Sequence, residues 1–166
     1  MRPAAAALLL LLAACQREAP APAKVEGGGG EALETAAKAR GLVDDPGKIV
    51  PTGVYANGED RVCVLPLADG SYRIGASVDL GEEQRCTARG SAKGRDRLEV
   101  RIGGECRFVA EVDGDRIVFP ATMDPACDRQ CHGRSTLAAL SAGRLSDSAA
   151  EAARTEGLDG EPLCGG

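Results

Sequence analysis

The feature that most constrains the fold is a two-residue alternation of apolar and polar side chains between residues 53 and 119. It is clearest where Leu98, Val100 and Ile102 are separated by charged residues. Such alternation is typical of strands with one buried and one exposed face. Turn residues such as Asn57-Gly58, a common hairpin signal, interrupt the pattern at short intervals. The pattern predicts seven strands, at residues 53–56, 61–66, 72–78, 84–91, 97–102, 106–112 and 116–119.

Because no helical segment separates these strands, they are expected to form an antiparallel meander with one apolar face to bury. The predicted fold class is mainly β: a small antiparallel meander curled into a barrel, with a sandwich as the alternative. The β domain is expected to span residues 49–166. Its later part is polar and irregular over residues 127–145. It ends in a short predicted helix at residues 148–154, where Ser148 and Glu151 fit a capping box.

Cysteine usage predicts that this domain is stapled by disulfides. Cys15 lies ahead of the domain, and the other six cysteines of the chain are Cys63, Cys86, Cys106, Cys127, Cys131 and Cys164. An even number in an exported chain is typical of a disulfide framework. The chain has two Tyr, two Phe and no Trp, so few large side chains are available for the core. Three disulfides, each typically about 2–4 kcal/mol, would stabilise such a lean core.

The meander also predicts where the cysteines gather. Alternate strands run the same way, so Cys63, Cys86 and Cys106 are all expected near one rim. The strand at 116–119 ends at that rim and would deliver Cys127 and Cys131 there. We therefore expect a disulfide-clasped rim and an opposite rim that is freer to bind, with the tail tied back to the domain through Cys164.

The N-terminus reads as an export signal. Arg2 is followed by an apolar run from Ala4 to Ala14 that is shorter than the roughly 20 residues of a membrane-spanning helix. The run ends in Leu12-Ala13-Ala14-Cys15, which resembles the lipobox of bacterial lipoproteins. The resemblance implies that residues 1–14 are a signal peptide, removed just before Cys15, and that Cys15 carries a covalent lipid such as palmitate.

Residues 15–48 are predicted to be a lipid-anchored flexible tether, since proline and a run of four glycines favour a linker. A short, alanine-rich helix is expected within it at residues 31–40. The acyl chains would be the membrane contact. Gln16 follows Cys15 where an aspartate would favour inner-membrane retention. The resemblance therefore implies an outer-membrane protein facing the periplasm, with the periplasmic side of the inner membrane as the alternative.

Charge is distributed unevenly along the chain. The net charge of −5 argues against nucleic-acid binding, which requires a basic surface. One stretch nevertheless has an excess of cations, and it predicts an anion-binding face formed by Arg85, Arg89, Arg97, Arg101 and Arg107. Ligands of that face would be lipopolysaccharide phosphates, peptidoglycan carboxylates or an acidic protein surface. The alternative is an ordinary solvated outer face of the strands.

The compact motif Cys127-Asp128-Arg129-Gln130-Cys131-His132 resembles the c-type haem attachment signature, although three residues rather than two separate its cysteines. It is the basis of an alternative hypothesis, a periplasmic redox or haem-carrying protein that uses Cys127, Cys131 and His132. We favour structural half-cystines at both positions, and so no metal site and no cofactor besides the lipid. The chain has a single histidine and no nucleophile-elbow pattern, which argues against a hydrolase.

These features together predict a non-enzymatic binding module of the cell envelope. The layout is similar to that of membrane-bound lysozyme inhibitors, which are small disulfide-containing β-barrel lipoproteins. The resemblance implies binding of an envelope component or inhibition of a hydrolase. A further alternative is an accessory subunit of an envelope complex, with a protein partner and no ligand of its own.

Overall fold

The computed structural model describes residues 29–40, 50–81 and 83–165. The chain divides into two units, residues 1–43 and residues 44–166. Helix α1 (Gly29–Ala39) belongs to the first unit and begins slightly before the helix predicted from the sequence. The predicted signal peptide and Cys15 lie outside the described residues. No described helix is both long and apolar enough to cross a membrane.

The second unit is a closed antiparallel barrel in which each strand pairs with its neighbours in sequence and the last strand pairs with the first. The predicted barrel is confirmed, and the sandwich alternative is wrong. The strands are β1 (Gly53–Asn57), β2 (Asp60–Pro66), β3 (Tyr72–Asp79), β4 (Arg85–Gly94), β5 (Arg97–Ile102), β6 (Cys106–Asp113), β7 (Arg116–Val118) and β8 (Ser141–Ser146).

The barrel has eight strands, not the predicted seven, because β8 lies in the stretch that was expected to be irregular. Its sequence, Ser-Ala-Gly-Arg-Leu-Ser, has no β-branched or aromatic residue and a single small apolar side chain, Ala142, pointing inward. Pairing with both β1 and β7 gives this weak segment its conformation. Tertiary context therefore decides the structure of β8, and β8 is what closes the sheet.

Side chains fill the interior of the barrel. All eight strands contribute to one buried cluster, and the rings of Phe108 and Phe119 pack within it with their centroids 4.8 Å apart. The small side chains of β4, including Ala88 and Ala92, leave room for the bulkier Ile74, Leu98 and Ile102. Because the interior is packed, a ligand is expected to meet this domain on its outer surface.

A 3₁₀ helix, Pro125–Gln130, lies at the rim where β4 and β6 begin and β7 ends. Two disulfides hold this segment to the barrel: Cys106–Cys127 and Cys86–Cys131. Cys127 is buried within the core cluster, so the segment closes the mouth as well as clasping it. Four of the five cysteines expected at one rim are therefore there. We call this end of the barrel the disulfide rim.

Cys63 forms a disulfide as predicted, but its predicted position at the disulfide rim is wrong. Val62 and Val64 point into the barrel, so Cys63 between them points outward, in the middle of the face, and bonds to Cys164. That disulfide belongs to a second, smaller cluster that packs helix α2 (Ala149–Ala152) and Leu163 against the outside of β1 and β2. The tail is tied back to the domain, as Cys164 predicted. Half of the predicted capping box is present: the Ser148 hydroxyl accepts the backbone N–H of Glu151, but the Ser148 N–H donates to the Ser146 hydroxyl and not to Glu151.

Candidate anion-binding face

The outer face of β4 carries cations and hydroxyl groups at every second position. The inward residues Cys86, Ala88 and Ala92 are buried, which leaves the alternate residues outside. In order, the outward side chains are Arg85, Thr87, Arg89, Ser91 and Lys93. This series contains no acidic residue, so the outer face of β4 is locally basic in an acidic chain.

One row of this face continues across four strands. Arg73 on β3 lies opposite Ser91 on β4, which lies opposite Arg101 on β5, which lies opposite Arg107 on β6. We call these four residues the arginine row. Neighbouring strands are about 4.8 Å apart, so the row spans about 15 Å.

Arg101 and Arg107 are the closest pair of like charges in the row. They are direct partners in the β5–β6 register, and both are exposed. Within residues 50–81 and 83–165, neither side chain forms a hydrogen bond or an ion pair. Two like charges directly opposite each other destabilise a sheet, by up to about 1 kcal/mol. An anion placed between them would remove that repulsion and satisfy both guanidinium groups.

Arg97 does not belong with this pair. Its guanidinium forms an ion pair of 2.7 Å with Glu111, its partner in the β5–β6 register. Both side chains are well exposed, so the pair contributes little to stability. Glu111 does, however, neutralise the charge of Arg97. Arg97 is therefore not part of the anion-binding face.

The Arg89 side chain binds the C-terminal loop. Its guanidinium makes two bonds to the carboxylate of Asp159, of 2.9 and 2.7 Å, and donates to the backbone carbonyls of Glu161 and Pro162. The bonds to Asp159 raise the pKa of Arg89 and hold the pKa of Asp159 below its ordinary value. Arg89 therefore has a structural part, fastening the tail on the outside of the barrel.

Arg85 does not belong to the arginine row and lies at the disulfide rim, where β4 begins. Its backbone carbonyl accepts the N–H of His132 at 2.8 Å. Its opposite neighbour on β3 is Asp79, whose carboxylate accepts the N–H of Gly81. The structure thus does not bring the five predicted cations into one site: Arg101 and Arg107 lie together, Arg85 lies beside His132, and Arg89 and Arg97 are each bonded to a different acid.

The motif at residues 127–132 is split between two disulfides. Cys127 and Cys131 are bonded to Cys106 and Cys86, not to each other, and His132 is exposed. Haem attachment or thiol chemistry here would first require both bonds to be opened. In the described part of the chain, no three His, Cys, Asp or Glu side chains are grouped so as to hold a metal ion. The redox and haem hypothesis stays a prediction.

Two members of the arginine row, Arg73 and Ser91, are not among the site residues predicted from the sequence. Both occupy polar positions in alternating segments, so their outward direction was readable from the sequence. What was missing was the register between strands. The offset of β3 against β4 depends on the connection between Asp79 and Arg85, whose length no simple hairpin rule specifies.

Comparison with protein-family models, with curated proteins and with solved structures found no match to this chain. The barrel, its three disulfides and the arginine row are therefore the observations from which a function can be inferred.

Proposed function

We propose that this chain is a lipid-anchored protein of the cell envelope that acts as a binding module and not as an enzyme. Its ligand is an anionic envelope polymer, and it binds to the outer face of the barrel at Arg101 and Arg107. The observation that carries this proposal is the direct register of two exposed arginines, neither of which is paired with any described residue, on a chain with a net charge of −5.

Geometry favours an anion with several oxygens. Side chains directly opposite on neighbouring strands are about 4.5–5.5 Å apart at Cβ. Two guanidinium forks at that spacing can both donate to one phosphate or carboxylate. Ser91, beside Arg101 in the row, adds a hydroxyl that can donate to a sugar or a second oxygen. The row thus suits a charged glycan.

Location supports the same ligand class. The lipobox resemblance implies a lipid on Cys15, and Gln16 favours the outer membrane with the domain facing the periplasm. Phosphates of lipopolysaccharide and carboxylates of peptidoglycan are the anionic groups within reach there. A domain with a negative net charge would approach them only through a local excess of cations.

The experiment is co-sedimentation of the full-length, lipidated chain with purified peptidoglycan and, separately, with lipopolysaccharide. Arg107→Glu reverses one charge of the pair and is expected to weaken binding about tenfold or more, since a charge-assisted contact is replaced by repulsion. Arg154→Glu, an exposed position on the other side of the barrel beside α2, makes the same change in net charge and is the matched control.

Binding that falls equally in the two variants would point to net charge and not to the arginine pair, and it would overturn the proposal. Binding unchanged by Arg107→Glu would do the same. The anchor is checked independently, by the mass of the N-terminal peptide and by release of Cys15→Ser from membranes.

A further inference from the structure

A cleft lies at the disulfide rim and shares no lining residue with the arginine row. Its volume is ≈ 290 Å³, and it is lined by Arg85, Thr87, Arg89, Arg129, Gln130, His132 and Asp159. Two of these side chains, Arg85 and His132, also line an adjoining depression with Glu83 and Gly133. We call the cleft of ≈ 290 Å³ the rim cleft.

The walls of the rim cleft are fixed by a disulfide. Cys86 and Cys131 form an antiparallel bridge as well as a covalent bond. Antiparallel pairing at these two residues places Arg85 beside His132 and Thr87 beside Gln130. Side chains alternate along each segment, so the two cysteines face inward while the four polar neighbours line the cleft.

Two of the cations at the cleft are already neutralised. Arg89 is bonded to Asp159, and Arg129 forms an ion pair with Glu105. Arg85 and His132 are not: across the described ranges, neither side chain makes a hydrogen bond or an ion pair. Three described acids lie around them: Asp79, opposite Arg85 on β3, Glu83 in the adjoining depression, and Asp159, which lines the cleft itself and is bonded to Arg89.

We infer that the rim cleft is a second anion subsite, which binds a single phosphate monoester between Arg85 and His132. The guanidinium of Arg85, the ring N–H of His132, the amide of Gln130 and the hydroxyl of Thr87 are donors that approach from two facing segments. A phosphate monoester has three terminal acceptor oxygens, which suits more donors than a carboxylate does. A volume of ≈ 290 Å³ also leaves room for the group that carries the phosphate.

This subsite shares no residue with the Arg101–Arg107 pair, so it holds or fails separately from the function proposed above. The test uses the ¹⁵N-labelled full-length chain in zwitterionic micelles. It is titrated with glucose 1-phosphate, with glucose and with glucuronate. The expected result is saturable shifts at the amides of Arg85, Thr87, Gln130 and His132 with the phosphate, weaker shifts with glucuronate and none with glucose.

Arg85→Gln is expected to weaken the affinity for glucose 1-phosphate about tenfold or more. Arg134→Gln, which removes an exposed arginine of the same loop outside the cleft, and Arg107→Gln are expected to change it less than about twofold. An unaltered spectrum elsewhere in Arg85→Gln shows that the variant is folded. No saturation, or equal affinity in Arg85→Gln, overturns the inference. Shifts confined to Arg101 and Arg107 overturn it too, while supporting the arginine pair.

A phosphate monoester can be soluble or can belong to a lipid headgroup. The same titration is therefore repeated in nanodiscs of phosphatidylcholine with and without phosphatidic acid. Weaker apparent affinity for glucose 1-phosphate in the presence of phosphatidic acid assigns the subsite to a membrane headgroup, and unchanged affinity assigns it to a soluble sugar phosphate. Either outcome supports a phosphate monoester as the ligand.

Discussion

The guanidinium of Arg144 lies over the ring of Tyr55, 4.8 Å from the ring centroid, at the rim opposite the disulfides. It also donates to three backbone carbonyls: Thr52 at 2.6 Å, Val50 at 3.1 Å and Gly114 at 3.3 Å. One side chain thereby joins β8, the segment before β1 and the turn after β6. Arg144 thus holds together the rim that the sequence predicts to be freer for binding, and its freedom to bind stays a prediction.

The first prediction concerns that side chain. Arg144→Met keeps an apolar stem over Tyr55 but removes every donor, and we expect it to lower the free energy of unfolding by about 2–3 kcal/mol. Arg116→Met is the control, since Arg116 is exposed and, among the described residues, its side chain bonds to the Ser141 hydroxyl alone. It should cost no more than about 0.5 kcal/mol. Urea unfolding of both variants measures the difference, and equal losses would show that Arg144 does not hold the rim.

The second prediction follows from Tyr55 itself. Burial raises the pKa of Tyr55 to about 12, against the opposing positive charge of Arg144. In the unfolded chain the phenol titrates near pH 10, so between about pH 10 and 12 the unfolded state loses the proton first. The free energy of unfolding therefore has its full value below about pH 10. It falls by about 2–3 kcal/mol as the pH rises from about 10 to about 12.

Tyr55→Phe removes this titration. It removes the hydrogen bond from the hydroxyl to the Pro51 carbonyl, which lowers the free energy of unfolding by about 1 kcal/mol at neutral pH. It should also reduce the fall in the free energy of unfolding at high pH. Urea midpoints of both proteins between about pH 8 and about pH 11 make the comparison. Parallel curves for wild type and Tyr55→Phe would mean that another group controls the alkaline loss of stability.

The barrel could be predicted from the sequence because most of the seven predicted strands alternate clearly, residues 84–91 less so, and the turns between them are short. β8 could not be predicted, since Ser141–Ser146 carries almost no strand-forming residues and depends on β1 and β7 for its conformation. The number of strands was therefore one too low. The inference of a closed barrel survived because the buried face still had to be covered.

The positions of the cysteines were also only partly predictable from the sequence. Counting strand starts placed Cys86 and Cys106 correctly but ignored which face each cysteine occupies. Cys63 lies between Val62 and Val64, and that alternation already indicated that it points outward. The rim cleft was beyond prediction, because the proximity of Arg85 and His132 depends on the pairing of Cys86 with Cys131, which spacing does not determine.

The third prediction tests how the C-terminal loop sits on the barrel. Gly75 on β3 faces Leu163, and a Cβ there would lie 2.5 Å from the Leu163 carbonyl oxygen and 2.7 Å from its Cβ. Gly75→Ala is expected to push the loop away and cost about 1–3 kcal/mol. Gly143→Ala on β8 is the matched control. Its Cβ would meet nothing within 4 Å, so it should be neutral or stabilising by about 0.4–1 kcal/mol.

Hydrogen exchange at the Leu163 amide, which donates to Thr155 at 2.7 Å, gives a local readout. Gly75→Ala should exchange faster there, with β5 and β6 unchanged, whereas Gly143→Ala should resemble the wild type. Retained protection at Leu163 in Gly75→Ala would show that the tail is fastened by Arg89 and the Cys63–Cys164 disulfide without close packing on β3.

The fourth prediction separates stability from binding at the arginine row. Because Arg101 and Arg107 repel each other across β5 and β6, Arg107→Glu should convert a repulsive cross-strand pair into an attractive one. We expect the free energy of unfolding to rise by about 0.2–1 kcal/mol at low salt, and the gain to shrink as salt screens the pair. Arg154→Glu should show no such gain.

The same Arg107→Glu protein should lose affinity for the anionic polymer, so the more stable variant would be the weaker binder. A variant that gains no stability at low salt would mean that solvent already screens the two guanidinium groups. In that case relief of their repulsion could not contribute to ligand binding.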